Sequence, residues 1–305
     1  MKIKILIAPN AFKHSLSAIE VAGVIKSLLD SLDLNLCTEL APIADGGDGT
    51  IDVIKHYFKK AKYINCYVFN PLMKKIKSQW LLLDRDTAVI ELAKASGLAL
   101  LKGSKLDPLK ANTYGTGQLV LSALNKGCKK IILSLGGSAT IDAGLGILCA
   151  LGAKIYDKNK KILKPYTRNL LLVEDIDSSK LDKQIRKAKF YVLCDVQSTL
   201  TGKNGTSMYA LQKGADKKSR ALIEKSLVHF SKIIKRKYKK DFLNEPMLGS
   251  AGGVAYSLKA LLNAKIYPGF TYISKLVSLE GKIKKSDLVI TGEGSLWNCK
   301  NRKAT

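Results

Sequence analysis

The sequence predicts an α/β protein of two lobes, one with a parallel Rossmann-like sheet flanked by helices and the other with a mixed sheet. Three observations carry this reading. The chain opens in strand–helix–strand–helix order, a block of short β-rich runs joined by turns follows from residue 61, and helix–strand alternation then resumes. Its 305 residues suffice for two domains of ordinary size. The expected division is discontinuous: residues 1–62 with 280–305 form the first lobe, its C-terminal part incomplete, and residues 63–279 form the second.

The first strand is expected over residues 3–9, where Lys alternates with β-branched residues. That opening lacks the longer apolar run and small-residue cleavage site of a signal peptide. Residues 10–16 form a loop. Ser17 followed by Glu20 is a capping box, and residues 18–32 carry apolar side chains at helical spacing. A second strand over 36–42 leads through a glycine-rich loop to a helix over 51–58. The runs 63–68, 76–83 and 87–92, separated by turns such as Asp84-Arg85-Asp86, read as antiparallel hairpins. Helices follow over 118–126, 142–151, 218–234 and 251–262, with strands over 130–135, 153–156, 190–195 and 288–291.

Composition excludes several classes. The hydrophobic fraction of 46% is ample for packed cores, and no run of 18 apolar residues spans a membrane. Six cysteines, scattered from Cys37 to Cys299 without metal or framework spacing, read as reduced thiols in a cytoplasmic protein. His14, His56 and His229 are too dispersed for a zinc site. The formal charge of +26 invites a nucleic-acid reading, but only six of the 51 basic residues are Arg and Lys is spread evenly. Readers of nucleic acid favour Arg for bidentate contacts, so the charge is better read as solvated surface that helps collect anionic substrates.

Four loops share one design, in which a hydrophobic strand ends in glycine and small polar residues and a helix begins. They are Ala44-Asp45-Gly46-Gly47-Asp48-Gly49-Thr50, Thr113-Tyr114-Gly115-Thr116-Gly117, Gly136-Gly137-Ser138-Ala139-Thr140-Ile141-Asp142, and Thr291-Gly292-Glu293-Gly294-Ser295. Glycine lets backbone approach a ligand, and a helix N-terminus presents free N–H groups to an anion. None matches a P-loop or a dinucleotide fingerprint. Phosphoryl transfer needs carboxylates to hold Mg²⁺ and to orient or deprotonate the attacking hydroxyl. The acidic candidates are Asp45, Asp48, Asp142, Asp195 and Glu293. Asp195 closes the apolar run Phe190-Tyr191-Val192-Leu193-Cys194, the strand end where α/β sheets place ligands; a turn or cap role fits the same spacing. Lys13 could reach a phosphate or carboxylate.

Together these motifs resemble the bacterial glycerate kinases of the first type. The resemblance rests on Ile7-Ala8-Pro9-Asn10-Ala11-Phe12-Lys13-His14-Ser15, Ala41-Pro42-Ile43-Ala44-Asp45-Gly46-Gly47-Asp48-Gly49-Thr50, Ala88-Val89-Ile90-Glu91-Leu92-Ala93, Cys194-Asp195-Val196, Gln212-Lys213-Gly214-Ala215 and Gly249-Ser250-Ala251-Gly252-Gly253, together with the loops at Tyr114, Gly136 and Thr291, collinear from residue 3 to 295. It implies transfer of phosphate from ATP to D-glycerate with Mg²⁺, to give 2- or 3-phosphoglycerate. The oligomeric state stays open, a homodimer being one option, and composition gives no specific nucleic acid or membrane partner. By resemblance the catalytic candidates are Asp195, Asp45 and Lys13, with Asp195 the base or orienter and Asp45 its rival. The ligand loops supply Gly46, Gly47, Thr116, Gly136, Gly137, Ser138, Thr140, Gly292, Glu293 and Gly294, and the metal candidates are Asp142 and Glu293.

The sequence departs from the family pattern in three places. Asn10-Ala11 stands where the family has an Asp-Ser pair, and Ile141 and Ala143 stand where it has Asn and Gly. After Gly294 the family has an Asp where Trp297 stands here, and further strands and helices beyond. These departures lead to the expectation of a degraded or truncated kinase with weak activity. The alternatives are a non-catalytic remnant that binds glycerate or nucleotide, a kinase for another small hydroxy acid, and a basic nucleic-acid-associated protein.

Overall fold

A computed structural model describes residues 2–12, 15–32 and 34–294. The expected α/β architecture is present. In chain order its elements are β1 (Ile3–Ile7), α1 (Ala18–Asp30), β2 (Leu36–Leu40), α2 (Thr50–Tyr57), β3 (Lys62–Phe69), β4 (Lys75–Leu82), β5 (Thr87–Glu91), α3 (Ala93–Ser96), α4 (Tyr114–Asn125), β6 (Lys130–Ser134), α5 (Leu145–Ala150), β7 (Lys154–Tyr156), β8 (Asp175–Asp177), β9 (Lys189–Leu193), α6 (Lys217–Tyr238), α7 (Ser250–Leu262), β10 (Lys265–Tyr267), α8 (Gly269–Leu276), α9 (Leu279–Ile283) and β11 (Leu288–Ile290). The Ser17–Glu20 capping box forms as the sequence predicts, each residue serving the other's backbone N–H.

The strands build a three-stranded parallel sheet, ordered β11-β1-β2, and a six-stranded mixed sheet, ordered β10-β9-β6-β5-β4-β3, with β7 and β8 as a separate ribbon. The β-rich block is antiparallel, β3 on β4 and β4 on β5, whereas β5, β6, β9 and β10 run parallel. Their register aligns Glu91 with Ser134, Ser134 with Leu193 and Leu193 with Tyr267, so four strands end in one row. Side chains alternate across a strand. Ile90, Leu133 and Val192 therefore pack on one face with α4, α5, α6 and α7, and Val89, Ile132 and Leu193 pack on the other with Ile51 and Ile54 of α2 and Ile273 of α8. Glu91, Ser134 and Asp195 share the parity of this second face.

Two expected helices differ in their first turns. The helix expected from 142 starts at Leu145, because Ala143 and Gly144 adopt left-handed φ values of 52° and 72°. The helix expected from 251 begins with three left-handed residues, Ala251, Gly252 and Gly253. Strand β10 and helix α8, absent from the sequence reading, flank the row of strand ends. No helix among the described residues is long and apolar enough to cross a membrane.

Candidate active site

The loop that leaves β2 does not stay with its own sheet. Residues 45–49 lie across the ends of β6 and β9, and α2 then packs down the sheet face. Gly136 donates its N–H to the Gly46 carbonyl at 3.1 Å, and a Cβ on Gly136 would stand 2.3 Å from the Gly47 Cα. Only glycine permits that approach. Two of the four glycine-rich loops thus meet at the C-terminal ends of the parallel strands, where open α/β sheets bind ligands.

Asp45 and Asp195 are neighbours across Gly269. A Cβ there would stand 2.1 Å from the Asp45 carbonyl oxygen and 2.8 Å from Asp195 Oδ2. Asp45 Oδ1 accepts the Gly47 N–H at 2.9 Å, and Asp195 Oδ2 accepts that of Phe270 at 3.3 Å. Asp195 is open on its outer side. Desolvation by the surrounding strand ends, and then the Asp45 charge, raise its carboxyl above the usual aspartate range, against the N–H groups of Phe270 and Gly269. A carboxyl biased toward the proton at a strand end is a chemically useful group.

Beneath the loop lies a residue the sequence reading did not single out as a site. Glu91 ends β5 and is 1% exposed. Its Oε1 accepts the Ile51 N–H at 2.7 Å, and its Oε2 has no hydrogen-bond partner among the described residues. Lys94 Nζ lies 3.8 Å from that oxygen and 3.8 Å from Asp52. Burial pushes the carboxyl up to about 7, opposed by Lys94. The signal was available, since Glu91 closes the apolar run Ala88-Val89-Ile90 just as Asp195 closes its own.

The loop 136–140 is braced from behind. Leu98 donates its N–H to the Gly137 carbonyl at 2.8 Å, and Ala139 donates to that of Ser96 at 2.9 Å. Lys213, 4% exposed, donates from Nζ to Ser138 Oγ at 2.8 Å and to the Thr140 carbonyl at 2.9 Å. Burial pushes this ammonium down to about 7, opposed by the Asp142 charge. Thr140 is buried and its hydroxyl has no partner among the described residues.

The remaining sequence candidates lie elsewhere. Asp142 is fully buried, and its carboxylate accepts from the N–H groups of Thr113, Gly144 and Gly146 and from the Thr113 hydroxyl. Burial raises its carboxyl, and those four bonds oppose the shift. With both oxygens occupied by protein donors it braces the α5 entry. Thr116 is buried inside α4 against the Ser96 hydroxyl, and Gly115 presses on the Phe69 carbonyl, so this loop serves helix packing behind the site. Gly292, Glu293 and Gly294 sit at the end of β11. There Asn10 donates its N–H to the Gly292 carbonyl at 2.8 Å and Thr291 Oγ1 donates to that of Ala8 at 2.8 Å. Glu293 is exposed. Next to Asn10, the Pro9 carbonyl accepts the Ile43 N–H at 3.0 Å just before the 45–49 loop. Lys13 and Ser295–Thr305 lie outside the described residues.

No group of three or more His, Cys, Asp or Glu among the described residues could hold a metal by itself. A cation carried by phosphates needs only one or two protein carboxylates, and the neighbouring Asp45 and Asp195 fit that donor chemistry. A cavity of about 380 Å³, lined by Tyr267, Thr271, Tyr272, Lys275 and Leu276, opens along α8.

The glycerate kinase family model matches residues 5–298. The chain is 38% identical over 296 residues to the glycerate 2-kinase of Escherichia coli, covering 96% of this chain and 77% of that one. It is 37% identical to the glycerate kinase of Halalkalibacterium halodurans, again covering 96% and 77%. A crystal structure assigned as glycerate kinase 2 from Salmonella typhimurium superposes with a TM-score of 0.86 at 34% identity, covering 100% of this chain and 81% of that one.

Proposed function

The chain belongs to the glycerate kinase family, and from that membership we propose that it transfers the terminal phosphoryl group of ATP to D-glycerate in the crevice floored by the ends of β5, β6 and β9. The observation that carries this reading is the meeting of loops 45–49 and 136–140 beside the Asp45–Asp195 pair. Backbone N–H groups and the Ser138 hydroxyl suit anionic oxygens, and a raised carboxyl suits a hydroxyl that must lose its proton. Asp195 takes the proton of the attacking glycerate hydroxyl. Asp45 holds Asp195 toward the protonated range and anchors the loop through Gly47. The glycines of the 45–49 and 136–140 loops, with those near Glu293, line the donor and acceptor subsites. Asp45 and Glu293 would hold Mg²⁺ against the phosphates, and the ion would offset the charge that builds on the transferred group. Lys13 completes the set as a cation for phosphate or carboxylate. The lobes divide at residues 1–62 with 280–305 and 63–279, with α2 as the wall they share.

Purified protein supplied with MgATP and D-glycerate tests the reading, with ³¹P NMR distinguishing 2- from 3-phosphoglycerate. The reading expects phosphoglycerate and ADP in equal amounts. Calorimetric binding of either substrate without product would instead identify a binding protein.

A further inference from the structure

We propose that Lys213 is a positioning residue for the kinase reaction: its buried ammonium, by donating to Ser138 Oγ, turns the Ser138 hydroxyl into a hydrogen-bond donor aimed at an anionic oxygen of a substrate. The proposal rests on the kinase reading and adds a residue to it.

The argument begins with the lysine's chemistry. An ammonium carries three donors and no acceptor. In that charged form the 2.8 Å contact with Ser138 Oγ has one polarity, with Lys213 donating and Ser138 accepting. A hydroxyl has one proton to give. With a lone pair already engaged by Lys213, that proton must go to another acceptor, and Ser138 Oγ has none among the described residues. Ser138 is half-buried, on the loop whose Gly136 and Gly137 press against Gly47 and Asp48. The second bond, to the Thr140 carbonyl, fixes Nζ from another direction. Both bonds hold the ammonium in place, and the hydroxyl proton is left without an acceptor among the described residues.

Burial makes a purely decorative role uneconomical. The chain carries 51 basic residues, and Lys213 is the one Lys or Arg that is buried among the described residues. Removing an ammonium from water is costly unless its bonds repay it. Lys213 has no carboxylate within salt-bridge distance among the described residues and is compensated by two neutral oxygens. An incoming anion, held by Ser138, would supply the missing negative charge in a region of low dielectric. The shared ligand chemistry is an anionic oxygen, from either a phosphoryl group of ATP or the carboxylate of glycerate.

Steady-state kinetics of K213M, K213R, S138A and the K213M/S138A double variant test this, with KM measured separately for MgATP and D-glycerate and thermal midpoints taken alongside. Each of K213M and S138A should lower kcat/KM at least tenfold. The double variant should fall no further than the worse single variant, and K213R should recover part of the loss. The substrate whose KM moves identifies the anion. Additive losses, or an S138A protein with wild-type kinetics, would overturn the proposal, and S138A decides this even if K213M does not fold. A wild type without turnover defeats the kinase reading and this proposal together, whereas an active wild type matched by K213M defeats only the role of Lys213.

Discussion

Glu91 Oε1 accepts the backbone N–H of Ile51 at 2.7 Å, tying the last residue of a central strand to the first turn of α2. The bond fixes the far end of the loop that carries Asp45, Gly46, Gly47 and Asp48. Its charged form is disfavoured by burial, which raises the carboxyl from 4.5 to about 7. A group that holds its proton more firmly in the folded state stabilises the fold at low pH and loses that contribution as pH rises. The loss should fall between about pH 4.5 and pH 7 and amount to about 3 kcal/mol. Burial also raises the carboxyls of Asp142 and Asp195, so the comparison with E91Q isolates this one. Urea denaturation across that range should give a shallower decline for E91Q than for the wild type. Parallel curves would refute the assignment.

Asp195 should set the acid limb of kcat/KM. D195N is expected to lower kcat by about 10²–10⁴, as removal of a positioned base does. Because the Asp45 charge helps raise the Asp195 carboxyl, D45N should move the acid limb of its residual activity to lower pH. A pH–rate profile measured on D45N checks this, and an unmoved limb would uncouple the two carboxylates.

G136A tests whether the contact between the two loops matters. The added methyl would meet backbone at 2.3 Å, which no side-chain rotation relieves. We expect a cost of about 1–3 kcal/mol in stability, as for overpacked sites, and at least a tenfold fall in kcat/KM for the protein that still folds. Denaturation and kinetics on one preparation read both effects.

D142N separates bracing from metal binding. An amide presents one oxygen and one NH₂, so it meets one or more of the N–H groups of Thr113, Gly144 and Gly146 with a donor. We expect a loss of about 1–3 kcal/mol in stability, with an unchanged Mg²⁺ dependence of kcat. A raised Mg²⁺ requirement at unchanged stability would return Asp142 to the metal site.

Most of the strands were legible because their apolar runs are bounded by turn residues, and α1 because its capping box is written in Ser17 and Glu20. Asp195 was legible as a charge closing a buried run, and Glu91 carried the same mark. Lys213 entered only within the Gln212-Lys213-Gly214-Ala215 motif, because one lysine among many bears no signal of its own until its burial is seen. The glycine-rich loops read alike in sequence although glycine serves two ends: Gly136 admits a second loop over the strand ends, while Gly115 admits a helix onto the Phe69 carbonyl. Only the fold separates these uses. Residues 142–144 looked like the first turn of a helix because nothing in Ala143 announces a left-handed φ. The partners of Asp195 on α8 were missed because Lys265–Tyr267 is a strand of three residues, too short for an alternation pattern.

A crystal structure of the protein with MgADP and D-glycerate tests the central claim most directly. The account predicts the glycerate hydroxyl within hydrogen-bond distance of the Asp195 carboxyl, and an anionic oxygen within hydrogen-bond distance of Ser138 Oγ. Ligands lodged along the Tyr267–Tyr272 cavity or on another surface, with Asp195 and Ser138 both untouched, would contradict it.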